Sequence, residues 1–159
     1  MNDQLAQSQR LLIGHGALVL LVGFIAGFGF LFFLLGRVEL WPFGVIEYPI
    51  PGTYDAWRMA HTEGIMNGFG LWILSAILPS LSHYVVNLYR LSIAMVIVAW
   101  TIVIASCLDP IFPSARGLAF TETSNLTSNI AFFLFYIGIV IAFWVVISIA
   151  INAFKTNTE

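Results

Sequence analysis

The sequence predicts an all-α integral membrane protein, a bundle of four transmembrane helices. Composition is the first reason. Hydrophobic residues make up 60% of the 159 positions and charged residues only 9%, where a soluble domain is about half apolar and about a quarter charged. So few charges cannot cover a soluble surface, and lipid must cover much of it. Run length is the second reason. Four apolar stretches each reach the roughly 20 residues that a helix needs to cross a hydrocarbon core about 30 Å thick. The third is that no strand pattern of useful length appears, and lipid offers no partner to open backbone groups.

The expected spans are residues 11–36, 54–81, 88–108 and 126–154 of a single membrane domain covering residues 1–159. Polar residues 1–10 precede the first. That run has no small-residue cleavage signature and is too long for a signal-peptide core, so it is read as a retained span. The second follows Pro51-Gly52-Thr53, with Thr53 suited to cap it. Asp109-Pro110 reads as the stop of the third.

A tight turn at residues 82–87 joins the second and third spans. The connections on the other side, residues 37–53 and 109–125, mix proline, aromatics and acids and read as ordered interfacial loops. Trp41, Phe43, Tyr48 and Tyr54 fit an aromatic belt at headgroup depth. Four spans put both termini on one side. Arg10, Arg90 and Lys155 fall there, and Arg37, Arg58 and Arg116 fall opposite, so the positive-inside rule does not orient the chain. The expected arrangement is a multi-pass protein of the bacterial inner membrane with cytoplasmic termini.

Several functions are disfavoured at once. A net charge of -2 without a basic run argues against nucleic-acid binding. A single cysteine, Cys107, excludes an intrachain disulfide and any zinc site built on several cysteines. No nucleophilic triad, P-loop or dinucleotide glycine pattern is present.

The second span is the unusual one, because His61, Glu63 and Asn67 lie within its first turns. Ionisable and amide groups at membrane depth are costly and mark functional sites by default. His61, Gly64, Ile65, Gly68 and Trp72 share one helical face, and Gly64 and Gly68 form a GxxxG pair. Such a pair admits something flat beside the histidine, either a neighbouring helix or a porphyrin. Asn67 lies about 120° round the helix from His61, so the two meet in one cavity only where several helices or subunits converge. The alternatives are plain ones: a histidine that bonds a carbonyl or headgroup, a glycine pair that only packs helices, and a Glu63 that faces the interface.

His15 enters from the terminal side and His61 from the other, about 20 Å apart in depth by helical rise. They cannot easily sandwich one iron, which disfavours a bis-histidine cytochrome and leaves room for a five-coordinate iron. His15 and His83 read as structural. Arg58, three residues before His61, and Arg116 are candidates for pairing with a cofactor propionate or for interfacial anchoring.

Five stretches carry a resemblance. They are Gly14-His15-Gly16, Val38-Glu39 with the segment 45–52, the segment 57–61 with Asn67-Gly68, Leu78-Pro79-Ser80-Leu81, and the segment 112–120. In order and spacing the chain resembles styrene oxide isomerases, membrane enzymes of bacterial styrene degradation. Its second span is also similar to that of hydroxylaminobenzene mutases, a related group of isomerases.

The resemblance implies a four-helix subunit assembled as a homotrimer, with haem b between neighbouring subunits. It implies that His61 is the axial ligand of a ferric iron acting as a Lewis acid, and that Asn67 is the active-site asparagine. The implied reaction is a Meinwald rearrangement of a small apolar aryl epoxide, styrene oxide, to phenylacetaldehyde. Such a reaction needs neither redox change nor water, and an apolar pocket excludes the water that would give a diol.

The chain also departs from the family pattern. Val98 and Ser106 stand where the family has an aspartate and a tyrosine of the third span, while Trp100 matches. Two further readings therefore stand beside the first: a hydroxylaminobenzene mutase-like isomerase, and a non-catalytic haem-binding membrane protein.

Overall fold

The computed structural model describes residues 2–83, 85, 87–112, 117, 120 and 125–155. Four helices dominate: α1 (Asn2–Leu35), α2 (Tyr54–Leu81), α3 (Leu88–Ile111) and α4 (Leu126–Phe154). All four are long and apolar enough to cross a membrane. The all-α membrane fold expected from composition is the observed one.

Two helix boundaries differ from expectation. The first helix starts near Asn2 rather than residue 11, because the polar residues before the apolar run are still good helix formers and continue it. One buried side chain there, Ser8, donates to the Gln4 carbonyl one turn back at 2.8 Å. The third runs through Asp109-Pro110 to Ile111, where the Phe112 N–H closes the last turn on the Leu108 carbonyl at 3.0 Å. Pro110 disfavours the helical region for its predecessor, but here that preference shifts the stop by only a few residues. The second and fourth spans match, and Thr53 does cap α2, accepting from the Ala56 N–H at 3.2 Å.

Residues 37–53 are also more regular than a loop. They contain a short antiparallel hairpin, β1 (Val38–Leu40) and β2 (Gly44–Ile46), paired Val38 to Ile46 and Leu40 to Gly44. Strands of three residues are too short to leave an alternation in the sequence. At its tip Trp41 is 91% and Phe43 89% exposed, as an aromatic belt requires.

α1 and α2 pack most intimately. A Cβ on Gly23 would lie 2.8 Å from the carbonyl carbon of Gly64, and one on Gly68 would overlap Leu20. Between apolar helices in lipid, association rests on this kind of close packing rather than on the hydrophobic effect. Two tryptophan N–H groups tie the bundle to α1: Trp72 of α2 donates to the Ile13 carbonyl at 3.1 Å, and Trp100 of α3 to His15 Nδ1 at 3.0 Å. Leu12, Val19, Leu71, Leu78, Val103 and Val145 fill the core. Among the described elements, α4 packs chiefly against α3.

Candidate active site

His61 projects from α2 onto α1. Its Nδ1 lies 2.9 Å from the carbonyl oxygen of Gly23, and a Cβ on Gly27 would lie 2.8 Å from that same nitrogen. Gly27 thus leaves the space that the imidazole fills, and Gly23, four residues before it on α1, lets the Gly64 backbone come close. A carbonyl only accepts, so Nδ1 carries the proton, and in the neutral ring Nε2 keeps its lone pair. That is the tautomer and the backbone support that metal-ligating histidines have. Among the described residues no three His, Cys, Asp or Glu side chains converge on one point. A single histidine nitrogen suits a macrocyclic cofactor, which supplies the remaining ligands itself.

Of the two neighbours that the α2 glycine pair could admit, a helix or a porphyrin, the structure places a helix there. Gly64 and Gly68 are buried under Gly23 and Leu20 of α1. Their missing side chains let the two helices touch, and no room is left there for a flat ligand. The close neighbour is the helix, not the cofactor.

Asn67 faces a different direction. Its amide nitrogen donates to the Glu63 carbonyl at 2.9 Å and to Glu63 Oε2 at 3.0 Å. Glu63, Thr62, Met59, Arg58 and Asp55 line an open cavity of about 390 Å³ along α2. Met59 also lines a groove of about 260 Å³ against Phe132, Phe135 and Tyr136 of α4. Helical spacing separates His61 from Asn67, and the structure keeps them apart within the chain: one is fixed on α1, the other on Glu63.

Arg58 pairs with Asp55 at 3.1 Å in an exposed i,i+3 bridge and lies over the Tyr54 ring at 5.8 Å. Its exposure leaves it able to exchange that partner. Arg116 lies outside the described residues. His15 accepts from Trp100, which gives His15 a structural place. The levels of His15 and of Gly23–Gly27 on α1 differ by about 12–18 Å of helical rise, so His15 and His61 do not share a site.

Val98 is buried, and Ser106 is fully buried with an Oγ that has no hydrogen-bond partner. A third, almost wholly apolar cavity of about 500 Å³ lies between α1, α2 and α3, lined by Phe28, Phe32, Trp57, Ala60 and Cys107 among others.

The family model for styrene oxide isomerase matches residues 8–154. The chain belongs to the styrene oxide isomerase family. Within it, a styrene-oxide isomerase of Pseudomonas fluorescens is 32% identical over 73 residues, 46% of this chain and 43% of that protein. The match to that relative thus spans less than half of its length.

What the sequence did not single out are the α1 glycines and the role of Glu63. The signal for the first was present as Gly23-x-x-x-Gly27, four residues apart like Gly64 and Gly68. The signal for the second was the i,i+4 spacing of Glu63 and Asn67.

Proposed function

We propose that this protein is a membrane isomerase of the styrene oxide type, rearranging an aryl epoxide to an aldehyde with haem b as cofactor. His61 would hold its iron, and Asn67 is the active-site amide. The observation that carries the reading is the Nδ1 bond of His61 to the Gly23 carbonyl, which leaves Nε2 as a ligand at membrane depth in a member of this family.

When bound, ferric haem supplies a Lewis acid toward an epoxide oxygen. The chain supplies everything else. Gly23 fixes the imidazole tautomer and the ring orientation. The apolar helices exclude water, so the opened ring has no nucleophile to trap it as a diol. In the overall reaction hydride moves between neighbouring carbons, and the product is an isomer of the substrate. The bilayer concentrates an apolar substrate beside the helices.

His61 and Asn67 point away from one another within a subunit, which favours a site completed by a neighbouring copy. A homotrimer with haem between subunits fits that need. The proposed setting is the bacterial inner membrane, with both termini in the cytoplasm. Arg58 is a propionate partner that would leave Asp55.

The decisive test is to incubate membranes containing the protein with styrene oxide and assay phenylacetaldehyde. Turnover supports the reading. Full haem loading without turnover would favour a hydroxylaminobenzene mutase-like reaction or a haem-binding role, as the buried Val98 and Ser106 allow.

A further inference from the structure

Asn67 is held differently from another back-bonded asparagine of the chain. Asn152 in α4 donates to the Ser148 carbonyl one turn back at 2.9 Å, an ordinary way for an amide to sit on a helix. Asn67 makes the same bond to the Glu63 carbonyl and adds a second, at 3.0 Å, to the Glu63 carboxylate. Both partners accept and neither donates. An amide has two N–H donors and one carbonyl oxygen. Turning the amide over would set its oxygen against two acceptors, so its orientation is fixed by chemistry.

We infer that Glu63 is a positioning residue. It engages the amide nitrogen of Asn67 and leaves Oδ1 as the atom that Asn67 offers to a reacting molecule. The inference rests on the reading of Asn67 as a site residue. It deepens that reading by giving the amide a polarity: Asn67 acts as a hydrogen-bond acceptor and negative dipole end, not as a donor to the epoxide oxygen. Such a dipole favours the electron-poor carbon that develops when the benzylic C–O bond opens. No bond to Glu63 or Asn67 forms or breaks. Placement agrees with this role. Glu63 is half-buried about 14 Å along α2 from its start, and it lines the 390 Å³ cavity with Thr62 and Met59. A carboxylate at that depth is costly without a partner, and Asn67 is a partner that the structure gives it.

The experiment uses full-length protein in membranes, compared as wild type, Glu63→Ala, Glu63→Gln, Asn67→Asp and the exchange pair Asn67→Asp with Glu63→Gln. Glu63→Ala should lower kcat by about 10- to 100-fold with little change in KM, the range for removing the partner that orients a site group. Glu63→Gln keeps an acceptor oxygen and should recover most of that loss. Asn67→Asp alone sets two carboxylates together and should lose activity. Adding Glu63→Gln restores a donor–acceptor pair in the reverse sense and should recover it.

A second readout needs no turnover. Solid-state NMR of the Asn67 side-chain amide should show two distinct, hydrogen-bonded protons in wild type and Glu63→Gln, and loss of that pattern in Glu63→Ala. An unchanged amide signal in Glu63→Ala overturns the inference, as does equal damage from Ala and Gln. If wild type shows the locked amide yet turns over no epoxide, the proposed reaction fails while the locking stands.

Discussion

His61 has two ring nitrogens, and α1 decides what each can do. The Gly23 carbonyl takes the Nδ1 proton, and the space beside Gly27 admits the ring. His61→Ala should therefore abolish the Soret band of the purified protein while helical circular dichroism persists. Full haem retention would reject the ligand assignment. Gly23→Ala places a methyl 2.8 Å from backbone of Gly64, which cannot yield as a side chain can. The helices must separate, at a cost of about 1–3 kcal/mol, and His61 loses its anchor. Thermal unfolding in detergent should show a lower Tm together with weaker haem retention. Ser106 gives the opposite expectation. Its buried hydroxyl has no partner, and burying one unpaired costs about 1–3 kcal/mol, so Ser106→Ala should leave Tm unchanged or raised.

The helices are held by specific repairs as well as by packing. Pro79 lies inside α2 and has no N–H for the carbonyl of Ser75 one turn back. That freed oxygen accepts instead from the Gln9 side chain of α1 at 3.1 Å. A proline within a membrane helix is tolerated when a neighbouring helix satisfies the group it frees. Gln9→Leu should thus destabilise the bundle by about 0.5–2 kcal/mol, the span for interhelical bonds in membranes. In a Pro79→Ala background a backbone N–H is restored to serve the Ser75 carbonyl, and the same change should cost much less. Equal costs in the two backgrounds, measured by denaturant titration, would sever the link between Gln9 and Pro79.

The described helices are unevenly buried within the chain. The most apolar window of α3 is 44% buried inside the chain, that of α4 only 17%. Phe143 and Trp144 of α4 are each more than 60% exposed. Lipid or a second copy must cover such surfaces, and the separation of His61 from Asn67 favours a copy over part of them. Native mass spectrometry should find a homotrimer carrying haem, and a haem-loaded monomer would contradict a shared site.

Composition and run length settle the four helices, because a chain with 9% charge and no strand pattern of useful length must satisfy its backbone within helices in lipid. The sequence alone also picks out the second span, since His61, Glu63 and Asn67 stand out against an apolar background. The helix ends were less legible. Pro110 is a local signal, but whether α3 stops there depends on what the next turn packs against. Tertiary structure alone decided what the glycines do. Gly64 and Gly68 look alike whether a porphyrin or a helix lies over them, and only the position of Gly23 and Leu20 chooses the helix. The same holds for Asn67. Spacing brings it within reach of Glu63, but only the paired bonds to carbonyl and carboxylate fix which end of its amide is left for chemistry.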